Sequence, residues 1–383
     1  MLAVLTMARL AMGFQFQSIG STAPFLVEGL GIDYASVGFL IGLFLLPGVV
    51  LAIPGGFLGQ VFGDKRVVAF GLALMAGGGL LSAASETYAT MLAGRLTAGI
   101  GAVFLNVMLT KMTADWFAGR EIVLALAILL NAWPIGIGLA LVTLGPLAES
   151  VSLAQVFQVT AAVAAVGLVL VALLYRPPPD AAGAAGPGLS GLSRREMLLC
   201  SLAGIVWALQ NATYVIMLGF APTLMILRGA STAEAGFMVS LSSWILIVSV
   251  QAGGMAAKTP GRANAVIVLA LAMWSVGLAL IPWAPLPAII LIGLCGGLSA
   301  AATVALPTEI LSPASRGPGL GLFITWYYMA MAGLPPVAGR LLDATGDPRM
   351  PLFFGAVLTI LAIPVLALFR IGQRRARNRE IDG

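Results

Sequence analysis

Residues 23–39 read APFLVEGLGIDYASVGF and residues 221–237 read APTLMILRGASTAEAGF. Both open on Ala-Pro and close on Gly-Phe, with thirteen residues between the proline and the glycine, so Pro24 and Pro222 stand 198 positions apart in two copies of one pattern. The same offset carries Gly55, Gly56 and Gly63 onto Gly253, Gly254 and Gly261, and an offset of 196 carries Gly101 and Arg120 onto Gly297 and Arg316. The chain reads as two halves built on one template. In a very apolar chain, internal repeats are the mark of secondary transporters, which hold their substrate between the repeats.

The composition agrees. Of 383 residues, 60% are hydrophobic and 9% charged, where a soluble protein carries roughly 25% charged residues. This is an integral membrane protein. Its formal net charge of +5 does not point to nucleic acid, because the basic residues sort by loop. There is no histidine, and Cys200 and Cys295 fall in predicted helices of different halves. They offer neither a metal spacing nor a disulfide framework and read as small apolar packing residues. The first apolar run continues past signal-peptide length without an Ala-x-Ala exit and is interrupted by Gln15, Gln17 and Ser18. It reads as a first membrane helix.

A membrane span needs roughly 20 mostly apolar residues. Such runs fall near 3–28, 34–58, 66–84, 87–111, 121–144, 152–175, 197–226, 233–256, 263–282, 286–311, 317–340 and 351–370, which is twelve, six per half. Lys65, Arg66, Lys111, Arg120, Arg176, Arg194, Arg195, Lys258, Arg262, Arg316 and the tail from Arg370 to Arg379 then lie on one side. Glu28, Asp33, Glu86, Glu149, Glu234, Asp343 and Asp347 lie on the other, with few basic residues beyond Arg228, Arg340 and Arg349. The positive-inside rule makes the basic side cytoplasmic, and with it both termini. Residues 176–195, RPPPDAAGAAGPGLSGLSRR, read as a flexible cytoplasmic linker. The expected organisation is an N-terminal six-helix bundle over 1–175, the linker over 176–195 and a C-terminal six-helix bundle over 196–383.

Residues 56–66 read GFLGQVFGDKR. They resemble the loop signature G-x-L-x-D-R-x-G-R-K of the Major Facilitator Superfamily at Gly56, Leu58, Gly63 and the basic pair Lys65-Arg66. Gln60 and Val61 replace the usual Asp and Arg, which removes the carboxylate that the family uses as a cytoplasmic charge latch. Residues 95–102, RLTAGIGA, resemble a second family signature, R-x-x-x-G-x-G-A. The stretches ARLAMGFQFQSIGSTAPFL and NVMLTKMTADWF are similar to the cyanate-permease-like branch. The resemblance implies an all-α membrane protein, with twelve transmembrane helices in two pseudo-symmetric bundles. It further implies a monomer in a bilayer, in bacteria the inner membrane, with spans one, four, seven and ten around a central cavity. Nitrate porters of a neighbouring branch hold their anion with arginines in spans two and eight, and neither span has one here.

Ionisable groups inside a membrane are costly and mark function by default. Arg9 and Arg95 are the clear cases. Arg95, Gly99, Ala102 and Asn106 follow i, i+4, i+7, i+11 and share a helix face. The implied cavity makes Arg95 an anion ligand, with a structural arginine satisfying backbone carbonyls as the even alternative. Arg9, near the cytoplasmic end of span one, reads as a snorkelling or gate residue. Gln17 is the better cavity candidate there, and Gln15 points nearly the opposite way. Trp207, Gln210, Asn211 and Tyr214, at i, i+3, i+4, i+7, form a polar and aromatic stripe on span seven. Asn131, Ser299, Thr303 and the run Trp326, Tyr327, Tyr328 complete the candidates, with Pro24, Pro222, Gly56, Gly63, Lys65 and Arg66 as structural or gating positions. Glu309 is expected to pair with Arg316.

No Asp or Glu falls near the middle of a span, which disfavours proton coupling through a side chain. No enzyme signature is present: no histidine, no Gly-x-Ser-x-Gly, no phosphate loop ending in Lys-Ser/Thr. The expected function is secondary active or facilitative transport of a small, anionic solute by alternating access, with no cofactor, metal or nucleic acid. An efflux carrier for amphipathic or drug-like compounds is the alternative.

Overall fold

The structure is a computed structural model that describes residues 1–117, 121–177, 192–256, 263–312 and 315–381. Arg120, Lys258, Gly261, Arg262 and linker residues 178–191 lie outside the described residues. The described chain is helical. The N-terminal half holds α1 (Leu2–Ser21), α2 (Ala23–Leu30), α3 (Tyr34–Leu43), α4 (Pro47–Phe62), α5 (Asp64–Ala83), α6 (Tyr88–Trp116), α7 (Ile122–Ser150) and α8 (Leu153–Leu174). The C-terminal half holds α9 (Arg194–Leu227), α10 (Thr232–Ala256), α11 (Ala263–Leu280), α12 (Pro285–Ala305), a 3-10 turn (Leu306–Glu309), α13 (Arg316–Thr345) and α14 (Met350–Ile381).

Proline and glycine set the breaks. Pro24 sits in the first turn of α2, where its missing N–H costs nothing, and Thr22 before it leaves helical geometry. Its repeat partner Pro222 lies inside the unbroken α9. Pro47 likewise opens α4 after a turn over residues 44–46. Gly63, at φ 85°, closes α4 in a conformation that suits glycine. Gly56 lies within α4; its surroundings are outside the described residues. Ser193 and Glu196 cap the start of α9 reciprocally.

Among the described residues, eleven helices are long and apolar enough to cross a membrane, one fewer than the twelve expected. The exception is the first. Its 20 residues carry Arg9, Gln15, Gln17 and Ser18, all buried inside the protein. Neighbouring helices supply carbonyls to Gln15 and Gln17, Ser18 bonds within its own helix, and Arg9 is enclosed with Nε and Nη1 unpartnered.

Each half packs as a bundle. In the first, α5 lies against α6 and α8, and α1 against α7 and α8. In the second, α9 lies against α13 and α14, α12 against α10 and α11. The bundles meet along α3–α13 and α7–α10, the same pairing twice. Glycines at repeat-related positions make both seams close. A Cβ at Gly38 would collide with the Pro335 carbonyl, and one at Gly236 with the Leu141 carbonyl. Asp343 of α13 also reaches across, accepting from the backbone N–H of Tyr34 (3.0 Å) and Ala35 (2.7 Å) at the start of α3. A carboxylate there satisfies orphan donors and the positive end of the helix dipole. Nearby Asp33 caps α3 from within, and its bonds to Ser36 hold its carboxyl below the usual carboxylate range. All these contacts lie on the acidic side. Gly236→Val is expected to wedge the bundles apart there, and spin labels on α7 and α10 would read a longer distance than in the parent protein. An unchanged distance would contradict this account of the seam.

On the basic side, Lys111 pairs with Asp64 and, at 3.1 Å, with Asp115. Lys65 donates to the Tyr175 carbonyl (2.9 Å), and Arg66 is exposed. Glu309 pairs with Arg370 of α14 rather than with Arg316, because the 3-10 turn aims it at the neighbouring helix.

Candidate functional site

On the basic side of the seam the bundles separate around a cavity of about 500 Å³, within the usual range of roughly 300–1,000 Å³ for small-molecule sites. Its walls are mostly apolar and aromatic: Met12, Phe44, Trp133, Trp207, Phe323 and the Tyr327–Tyr328 pair. Asn106 and Thr110 of α6 supply polar groups. Among the described residues no carboxylate lines it, and Arg9 does.

Arg9 is only 8% exposed. Its Nε and Nη1 are buried without a hydrogen-bond partner. Tyr327 and Tyr328 lie within electrostatic reach of it. Tyr328 is already engaged, accepting from Asn106 Nδ2 at 2.8 Å, a bond that ties the two bundles across the cavity. Trp207 stacks near-parallel on Tyr327 and on Phe323, at 6.4 and 6.5 Å between ring centroids. The result is a cationic group with no counter-charge among the described residues of the cavity, set in an aromatic wall. Such a group recognises an anion, and its surroundings recognise an apolar body.

Arg95 is placed differently. It is 2% exposed and borders no part of this cavity. Its Nε donates to the Leu40 carbonyl (3.2 Å), Nη1 to that of Gln15 (3.0 Å) and Nη2 to that of Phe16 (3.2 Å). The Phe44 ring lies 4.6 Å beneath the guanidinium. Every nitrogen of Arg95 has work inside its own bundle. The structural alternative fits this geometry: each of the three nitrogens is already bonded to a backbone carbonyl, and the side chain does not reach the cavity.

Gln17 also lies outside the cavity. Its Nε2 donates to the Leu218 carbonyl of α9 at 2.9 Å, as part of the seam, while Gln15 turns away to the Met75 carbonyl. Asn131 is half-buried on α7 and does not border the cavity. Asn106, Trp207 and Tyr327 do border it. Gln210, Asn211 and Tyr214 continue the α9 stripe into a smaller adjoining cavity of about 140 Å³, whose far wall includes Trp274. Sequence reasoning passed over Trp274; a single indole in the largely apolar α11 was the available signal. It also passed over Phe44 and Met12, whose only mark was their place beside helix breaks and Arg9.

Comparison with known proteins adds the following. The model described as Major Facilitator Superfamily matches residues 5–294 and 205–383. The 3-(3-hydroxyphenyl)propionate transporter of Escherichia coli K12 is 26% identical over 381 residues, covering 95% of this chain and 92% of that one. Among solved structures, the nucleoside transporter NupG superposes with a TM-score of 0.79 at 16% identity, covering 96% of this chain and 98% of its own. The inward-open xylose transporter XylE of E. coli superposes with a TM-score of 0.78 at 14% identity, covering 96% and 95%. At such identities these structures speak for the fold alone.

Proposed function

Since the chain belongs to the Major Facilitator Superfamily and is a multi-pass membrane transporter, we propose that its cargo is a small organic anion with an apolar, aromatic body. The observation that carries this is Arg9, a residue lining the cavity whose buried guanidinium has two unpartnered nitrogens, with no carboxylate among the described residues that line it. The anion takes the free donors of Arg9, and its ring packs among Trp207, Tyr327 and Trp133. The E. coli relative is a transporter of an arylalkyl carboxylate, which supports the same class.

The cavity lies on the basic side and the seam on the acidic side. With the basic side cytoplasmic, this is the inward-facing state of an alternating-access cycle in the bacterial inner membrane. The two bundles, joined through residues 176–195, rock about Arg9 as one monomer. That no carboxylate is found among the described residues of the cavity wall favours uniport, anion exchange or a proton carried on the cargo. The cyanate-permease-like branch rests on the two stretches that resemble it.

A second reading, efflux of amphipathic compounds, is favoured by the apolar walls. A thermal-shift panel on the detergent-purified protein separates the two, since a ligand of the folded state raises the melting temperature by mass action. Stabilisation by benzoate, phenylacetate or phenylpropionate, and not by lipophilic cations, is the expected outcome. Stabilisation by the cations alone would replace the anion reading with the efflux one.

A further inference from the structure

The smaller cavity shares Trp207, Val250 and Ala300 with the main one. Two polar atoms on its lining side chains are buried and bare. Gln210 is 3% exposed, and its amide nitrogen donates to the Gly296 carbonyl (3.3 Å) and to Ser299 Oγ (2.6 Å). A carbonyl only accepts, so the first bond fixes which way the amide faces and leaves Oε1 as an acceptor with no donor. Trp274 is 3% exposed, and its Nε1, which can only donate, has no acceptor. The neighbours are committed elsewhere. Tyr214 shares a hydrogen with Ser243 Oγ at 2.9 Å, and Asn211 donates to the Trp207 carbonyl at 2.8 Å.

Buried polar groups without partners are rare, and each calls for an occupant. The occupant here must both donate and accept. A carboxylate only accepts and would repel Gln210 Oε1. An ammonium only donates and would leave Trp274 bare. A hydroxyl does both. At about 140 Å³ the space far exceeds the roughly 10–15 Å³ that one water requires.

We infer that the cavity between Gln210 and Trp274 is a hydroxyl-reading subsite, and that the cargo is a hydroxylated aryl carboxylate spanning from Arg9 in one bundle to this pocket in the other. This rests on the proposed anion site at Arg9. A cargo that touches both bundles joins them, and the hydroxyl supplies the second point of attachment.

The test is calorimetric titration of the purified full-length protein with benzoate, phenylacetate and 3-phenylpropionate, each with and without a meta-hydroxyl. For the chain length that binds best, the hydroxyl is expected to tighten binding by about tenfold or more. Trp274→Phe and Gln210→Met are each expected to shrink that ratio to within about threefold. Taking the ratio within each variant cancels any general loss of folded protein. Equal binding of the pair by the parent protein, or a preference that survives both substitutions, overturns the subsite and leaves the Arg9 reading standing; the first outcome would mean that water fills the pocket. Failure of every carboxylate to bind overturns the Arg9 reading and this one with it.

Discussion

Arg9→Met is expected to abolish saturable uptake of aryl carboxylates into proteoliposomes while leaving the melting temperature nearly unchanged. A hydrogen bond to a charged group contributes about 1.5–3 kcal/mol, and about 1.4 kcal/mol is a tenfold change in affinity. Loss of the guanidinium should therefore weaken binding by about 10- to 100-fold. Stability is spared because Arg9 donates to no protein acceptor through Nε or Nη1, so its removal strands nothing. A buried cation without a partner is itself a burden on the fold, and the variant can be slightly more stable than its parent. Arg9→Lys should recover part of the affinity, since an ammonium restores the charge but not the planar two-pronged donor. Uptake by Arg9→Met at the parental rate would remove Arg9 from the site. A collapse in melting temperature would make it a structural residue.

The contrast between the two arginines marks what the sequence could convey. The spacing of Arg95, Gly99, Ala102 and Asn106 placed them on one face of α6, and the face is the same in the structure. Depth along that face was not legible. Arg95 bonds to α1 and α3 where those helices close on α6, and Gly99 packs against the Phe44 backbone. Ala102 and Asn106, one turn and two turns further toward the basic side, border the cavity. A helical wheel has no coordinate for where two bundles separate, because that depends on contacts between halves far apart in the chain. The same gap explains Arg9. Its distance from the end of α1 suggested snorkelling to the headgroups, but the splayed basic side opens at its level, so it meets a cavity instead. The repeat itself was plain in Pro24 and Pro222, as were the glycines of the seam at Gly38 and Gly236. What Pro24 does locally was not: one copy breaks a helix and the other rides inside one, since a proline's effect depends on whether neighbouring helices re-satisfy the freed backbone groups.

Arg95→Met should do the reverse of Arg9→Met: lower the melting temperature by about 5 °C or more and leave the affinity of the surviving folded protein close to that of the parent. Three hydrogen bonds from a charged donor are lost in this variant, those to the carbonyls of Gln15, Phe16 and Leu40, at about 1 kcal/mol or more for each; the Gln15 carbonyl keeps the Ser18 hydroxyl. Each kcal/mol moves the midpoint of a mid-sized domain by about 2–4 °C. Leu40 lies in the last turn of α3, so the guanidinium also faces the negative end of that helix dipole. The Phe44 face adds a cation–π contact. Arg95→Lys retains the charge but cannot span three carbonyls from one nitrogen, and should fall between parent and Met variant. The measurement that decides is the pair of quantities on each variant, melting temperature and ligand affinity. If Arg95→Met loses affinity with its melting temperature intact, then Arg95 is reached by cargo in some state of the cycle, and the assignment of roles to the two arginines must be exchanged. If the two variants separate as expected, one arginine holds the fold together because each of its three nitrogens is used. The other is free to bind an anion because its donors are not.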